Sequence, residues 1–223
     1  MENRGKLIVF EGIDGSGKSA HYKRVCEHLE ADGIEYKHIV FPRYDNDSSA
    51  LIRMYLGGEF GKNPADVNAY TSSAFFAVDR FASYRTDWGS VYDNGGFVLS
   101  DRYTTSNAVH QGAKLPDEEL EKYLEWLYDF EYEKMELPRP DLVIYLEVDL
   151  ETSLARMRHR QEKTNTGADI HEKDIEYLRK CLKVADRAAD YYGWHRIACK
   201  KDGAERSIEE KHDEIYRVIK EAL

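Results

Sequence analysis

Apolar residues are unevenly spread along this chain. Many gather in five short, largely uninterrupted stretches at 7–11, 38–41, 97–101, 142–148 and 196–199. Runs of this length without polar alternation predict strands buried on both faces of a parallel sheet. Between them, apolar positions recur every three or four residues. That spacing predicts helices at about 19–31, 64–88, 105–133, 150–160, 170–192 and 208–222. Tyr22, Val25, Cys26 and Leu29 form the stripe of the first helix. Ala77, Phe81, Tyr84 and Trp88 form a core-facing stripe of the second, and Leu120, Tyr123, Leu124, Leu127 and Phe130 that of the third. Strands alternating with helices predict an α/β fold of three layers, a five-stranded parallel sheet with helices on both faces. Two polar stretches without periodicity, 42–63 and 161–168, are expected to be loops. The second, Gln-Glu-Lys-Thr-Asn-Thr-Gly-Ala, separates two helices, where a small lid at about 156–170 can open and close.

Composition narrows the picture. A length of 223 residues with 42% hydrophobic content suits one domain spanning 1–223, and no repeat or linker divides it. The net charge of −10 argues against general nucleic-acid binding, though it leaves room for a local basic pocket. Cys26, Cys181 and Cys199 are scattered, so neither a disulfide framework nor a zinc site is expected. The N-terminus reaches the first strand at once, and no apolar run is long enough to cross a bilayer. A cytoplasmic protein without a membrane partner is the expectation. The segment 117–136 holds nine acidic residues against two lysines. A solvated acidic face accounts for it, with a partner site as the alternative.

The strongest chemical signal is Gly12-Ile13-Asp14-Gly15-Ser16-Gly17-Lys18-Ser19, which fits G-x-x-x-x-G-K-[ST]. It lies between the first strand and the first helix, where its mechanism requires it. The glycines at 12, 15 and 17 clear the way for backbone N–H groups to close around a phosphate chain. The helix N-terminus adds unpaired donors and about half a positive charge. Lys18 would reach the β- and γ-phosphates, and the Ser19 hydroxyl would meet Mg²⁺. The motif alone says only that a nucleoside triphosphate binds, since switch proteins, motors, transporters and kinases all use it. With the strands and helices around it, a P-loop NTPase fold is expected.

Other positions add to it. Asp101 ends the third strand, placed to hold Mg²⁺ beside the loop. Arg102 follows, where a cation can bridge donor and acceptor phosphates. Arg43, in Phe41-Pro42-Arg43-Tyr44, sits at the carboxyl edge of the sheet, where open α/β folds bind ligands. After Asn63-Pro64, a good helix start, Ser73, Phe76, Arg80 and Ser83 share one face. Arg80 there is either a snorkelling surface residue or a planar donor beside a stacking ring. Arg156, Arg158, Arg160 and Lys163 bunch at the lid, as a basic mouth to the site or as ordinary surface charge.

Together these pieces resemble the thymidylate kinase family, P-loop enzymes that phosphorylate dTMP to dTDP. The phosphate loop carries the resemblance with Phe41-Pro42-Arg43-Tyr44, Phe76-Ala77-Val78-Asp79-Arg80 and Asp101-Arg102-Tyr103. So do Ser106-Asn107, Gln111-Gly112 and Leu137-Pro138-Arg139-Pro140-Asp141. The resemblance implies that Asp14 and Arg102 position the reacting phosphates and that Arg43 grips the monophosphate. It implies that Phe76 stacks on thymine, that Arg80 hydrogen-bonds it, and that Asn107 contacts the nucleotide, with Tyr44 also on the substrate side. Arg156 and Arg160 would approach the ATP phosphates, and Asp169 and Glu172 match acidic positions after the lid. A homodimer is also expected. The Gly15-Ser16 pair resembles the class whose catalytic cation comes from the lid. Ala20-His21 and His110 depart from the family pattern, the latter where a tyrosine common in the family is associated with the sugar.

Two rivals follow from the same residues. A deoxynucleoside kinase, or a kinase of another nucleotide, would share the fold. A hydroxyl acceptor wants a carboxylate base, for which Glu11 is the close candidate. A non-enzymatic nucleotide-binding regulator would share the loop, but the chain has no effector domain and no guanine motif.

Overall fold

The computed structural model describes residues 4–164 and 175–223, apart from the side chains of 160–164. The strands are β1 (Lys6–Glu11), β2 (Lys37–Val40), β3 (Phe97–Asp101), β4 (Leu142–Leu146), β5 (His195–Ile197), β6 (Lys200–Lys201) and β7 (Ala204–Glu205). The helices are α1 (Lys18–Ala31), α2 (Ala50–Leu56), α3 (Ala69–Ser83), α4 (Gly89–Asp93), α5 (Thr104–His110), α6 (Leu120–Tyr128), α7 (Leu150–Thr164), α8 (Ile175–Tyr192) and α9 (Ile208–Ala222). The first five strands form one sheet in the order β2-β3-β1-β4-β5, with every adjacent pair parallel. β6 and β7 make a small antiparallel hairpin.

Burial on both faces explains the unbroken apolar strands. On β1, Leu7, Ile8, Val9 and Phe10 are all 0% exposed. Ile8 and Phe10 pack with Val25 and Leu29 of α1 and with Ile215 and Ile219 of α9. Leu7 and Val9 pack on the opposite face with Trp88 and Tyr103. A further core joins α5, α6 and α8 through Val109, Leu127 and Cys181. The β1–β3 register sets Phe10 beside Asp101, so the phosphate loop and the end of β3 emerge side by side.

The structure departs from the sequence expectations in several places. α7 runs on through Thr164, so the start of the stretch expected as a loop at 161–168 is helical, and the β6–β7 hairpin had not been expected. The polar stretch 42–63 contains α2, whose Ile52 and Tyr55 are buried one turn apart. Asn63-Pro64 opens only a short 3₁₀ turn, and Asn68 caps α3 by accepting from Thr71 N at 2.9 Å. The inward side of α3 is polar, carrying Ser72, Ser73, Asp79, Arg80 and Ser83, so Phe81 is left 40% exposed rather than in the core. The helix expected at 105–133 is broken after α5, because Leu115 precedes Pro116 and is extended (ψ 154°). It resumes as α6 and widens into a π-helical turn over Asp129–Lys134. No helix among the described residues is long and apolar enough to cross a membrane.

At the start of α9, Glu210 N donates to Ser207 Oγ at 3.0 Å and Ser207 N donates to Glu210 Oε2 at 2.9 Å. This reciprocal cap satisfies two donors that a helix start otherwise leaves open. Ser207→Ala should therefore cost about 1 kcal/mol. A lower urea midpoint with an unchanged m value and full activity is the expected result.

Candidate active site

The loop between β1 and α1 is held open by two glycines in left-handed conformation, Gly15 (φ 78°) and Gly17 (φ 90°). A Cβ on Gly15 would stand 2.4 Å from the Ser153 carbonyl oxygen, because α7 lies against the loop. Ser153 Oγ donates to the Asp14 carbonyl at 2.7 Å. Arg156 Nη1 donates to the carbonyls of Gly15 at 3.1 Å and Ser16 at 3.0 Å. Its Nη2 pairs with Glu205 on β7. Lys18 Nζ pairs with Asp101 Oδ1. Burial lowers the Lys18 pKa from its ordinary value, Arg102 adds to this, and Asp101 opposes it. The loop lines a cavity of about 370 Å³ together with Lys18, Ser19, Asp101, Arg102 and Arg156.

A second cavity, of about 240 Å³, is lined by Tyr44, Phe76, Arg80, Asn107, His110 and Gln111, among others. Asp14, Phe41 and Arg102 line both cavities. Arg102 is the hinge of the arrangement. Its backbone is left-handed at φ 68°, a strained conformation for a residue with a side chain. Its N–H donates to the Phe10 carbonyl at 3.0 Å, which fixes the chain as it leaves β3. Its Nη2 donates to Asp14 Oδ1 at 3.2 Å, and Glu11 Oε1 lies 3.6 Å from its Nη1. Burial disfavours its charge, but Asp14 and Glu11 outweigh that and raise its pKa. Nη1 also bonds His110 Nε2 at 3.2 Å. An arginine only donates, so Nε2 accepts and the His110 proton sits on Nδ1, 3.7 Å from Cys181 Sγ.

Glu11 is fully buried and committed. Its Oε2 accepts from Thr105 Oγ1 at 2.6 Å and Ser106 Oγ at 2.7 Å, and its Oε1 from Gly12 N at 2.8 Å. A carboxylate engaged on both oxygens is a brace for the loop and a poor base. That removes the support for a hydroxyl acceptor.

Among the other expected residues, Phe76, Arg80, Asn107, Tyr44 and His110 come together in the second cavity. Arg80 is not a surface residue. It is 2% exposed, and its Nε and Nη2 donate to the two oxygens of Glu131 at 2.6 and 2.5 Å. Burial opposes its charge, and Glu131 raises its pKa in spite of that. Arg43 is not among the residues lining the cavity. The buried Asp79 accepts from its backbone N at 2.9 Å and from its Nε at 3.4 Å, and its Nη2 donates to Ser48 Oγ at 3.2 Å. The Arg160 side chain, Asp169 and Glu172 lie outside the described residues.

Three contributors had not been expected. Ser153 stands three residues before Arg156, one turn up the same helix face, so its place on the loop was open to inference. Glu205 and Glu131 carried no local signal. Glu131 lies in the acidic segment expected to be solvated, yet it is 0% exposed, and the other eight acids there are exposed.

A phosphate loop joined through Arg102 and Asp14 to a second cavity with a ring and planar donors defines a P-loop kinase of nucleoside monophosphates. The chain matches the thymidylate kinase family over residues 10–215 and belongs to it. It is 32% identical to thymidylate kinase of Mycobacterium tuberculosis over 192 residues, 84% of this chain and 87% of that protein. It is 28% identical to thymidylate kinase of Plasmodium falciparum over 98% of this chain and 91% of that one. The solved thymidylate kinase of Candida albicans shares the fold with a TM-score of 0.71, covering 98% of this chain and 92% of that chain at 20% identity. The reaction is phosphorylation of dTMP to dTDP with ATP as donor.

His21, on the first turn of α1, lies under the loop. It is 3% exposed and its Nδ1 has no hydrogen-bond partner among the described residues. Burial, followed by Lys211, His212, Arg156 and Arg24, lowers its pKa to about 4. The unfolded residue titrates near about 6.5. The folded pKa is the lower one, so this contribution is complete above the unfolded pKa and is lost as pH falls through the folded one. Urea unfolding between about pH 7 and 4 should show His21→Leu losing less stability than the parent. Parallel pH profiles would show that His21 is not neutral in the fold.

Proposed function

We propose that ATP occupies the loop cavity, that dTMP occupies the second, and that transfer takes place across Asp14 and Arg102. The observation that supports this most is that these two residues line both cavities and are bonded to each other. An oxygen of the acceptor phosphate, ionised at neutral pH, attacks the γ-phosphorus. The bond to the β–γ bridging oxygen breaks, and ADP leaves. Positioning and charge neutralisation suffice for such a step. The backbone of Gly12, Gly15, Ser16 and Gly17 cradles the donor phosphates, with Lys18, Ser19 and Arg156 around them. Phe76 stacks on the base, Arg80 and Asn107 take its edge, and Tyr44 and His110 border the sugar. Arg43 takes the acceptor phosphate through Nη1, the guanidinium nitrogen that its bonds to Asp79 and Ser48 leave over. Asp169 completes the acceptor side as the family pattern implies.

Ser19 and Asp101 would hold Mg²⁺. Both line the loop cavity, and a hydroxyl beside a carboxylate supplies the hard oxygen donors this ion takes. Bound there, it would neutralise charge on the donor phosphates. We also propose a homodimer in a reducing cytoplasm. Val78 and Phe81 are exposed one turn apart on α3, and the adjacent α2 exposes Leu51, an apolar surface suited to a second copy. No disulfide joins Cys26, Cys181 and Cys199, which suits such a compartment.

Two variants test this reading. Lys18→Ala should reduce the rate by roughly a thousandfold or more with the fold intact by circular dichroism. A variant within tenfold of the parent would place the donor elsewhere. Arg160→Ala, at the lid, should lower kcat and kcat/KM together by about a hundredfold, with the dTMP KM unchanged. A rise in the ATP KM alone would mean that the lid contributes ground-state binding only.

A further inference from the structure

Glu131 stands behind the cavity that receives the base and takes four hydrogen bonds. Two come from Arg80, a third from Thr104 Oγ1 at 2.7 Å, and a fourth from Asn107 Nδ2 at 3.1 Å. Asn107 Nδ2 also donates to the Ser73 carbonyl at 3.1 Å. Both of its protons are thus spent on acceptors inside the protein. The amide oxygen is the atom left for a ligand, and Asn107 lines the cavity. Rotating the amide by half a turn would set its oxygen against a carboxylate and a carbonyl, which no donor could reconcile. Arg80 has five N–H donors, of which two bond Glu131 and one lies 3.4 Å from the Tyr103 carbonyl. It faces the cavity as a donor under any circumstance.

We propose that Glu131 is a positioning residue for acceptor choice, locking the Asn107 amide oxygen toward the cavity and aligning the Arg80 guanidinium beside it. This rests on the reading that Phe76, Arg80 and Asn107 receive the base. The cavity then offers one acceptor next to one donor. A 4-oxo pyrimidine matches this pattern, with its N3–H as donor and O4 as acceptor. A 4-amino pyrimidine presents the reverse, an N3 acceptor and an amino donor, and leaves both protein groups unpaired. The locking charge comes from the one buried member of an acidic segment whose other acids are exposed.

Glu131→Gln keeps the shape and gives the amide partner a group that both donates and accepts, so Asn107 is free to turn. Steady-state kinetics with dTMP and dCMP, with Arg80→Met run in parallel, test the idea. For Glu131→Gln we expect the dTMP KM to rise at least tenfold, with kcat and the ATP KM within threefold. The preference for dTMP over dCMP in kcat/KM should shrink at least tenfold. A raised KM with an unchanged preference, or no change in either, overturns the proposal. If Arg80→Met leaves the dTMP KM unchanged, the base is not read here, and the underlying reading fails instead. Should Glu131→Gln not fold, NMR of the parent decides the matter. Slow solvent exchange of the Asn107 Nδ2 protons, before and after dTMP is added, supports the lock. Rapid exchange in the free enzyme, as an amide turned to the cavity would give, overturns it.

Discussion

A charge taken out of water must be met by an opposite charge, or it costs several kcal/mol, and the active site is arranged around that constraint. Lys18, Arg43, Arg80 and Arg102 all have side chains less than 20% exposed. Each is met by a carboxylate from another part of the chain. Asp101 holds Lys18, Asp79 holds Arg43, Glu131 holds Arg80, and Asp14 with Glu11 holds Arg102. These pairs tie the loop, the end of β3, α3 and the π-helical turn after α6 to one another. The pairs hold each cation in a set orientation. In the proposed reading, incoming phosphates would meet prepared donors and little would have to reorganise, which is how electrostatic stabilisation becomes effective. The acidic balance of the whole chain and the basic lining of the site are two sides of one design.

α7 gives the phosphate loop its second support. Its first turns grip the loop through Ser153 and Arg156, and Arg156 in turn is fastened to the hairpin by Glu205. The same helix runs on toward the segment read as a lid. The loop is thus anchored on the element that leads to the proposed lid.

The sheet was legible in the sequence because strand burial is a local pattern. The runs at 7–11, 97–101 and 142–148 lie within two residues of β1, β3 and β4. The phosphate loop, Asp101 and Arg102 were legible because their chemistry depends on neighbours in the chain. What escaped depends on partners far away. α2 is short and set between polar and glycine residues, so only the burial of Ile52 and Tyr55 reveals it. Phe81 follows the spacing of a core stripe, but the inner face of α3 is given over to polar groups. Glu131 looks like its acidic neighbours until the fold brings Arg80, 51 residues earlier, against it.

Asp79 and Arg80 are consecutive residues of one helix, yet in the proposed reading they serve opposite ends of the acceptor. Asp79 holds Arg43, proposed to grip the acceptor phosphate, and Arg80 lines the cavity proposed for the base. Neighbouring helical positions diverge by about 100°, so one rigid element sends a reference point to each end. The helix thereby works as a caliper with fixed jaws. With dTMP placed as proposed, it would gauge the span from pyrimidine edge to 5′-phosphate, and a ligand would be judged by its length as well as its edges.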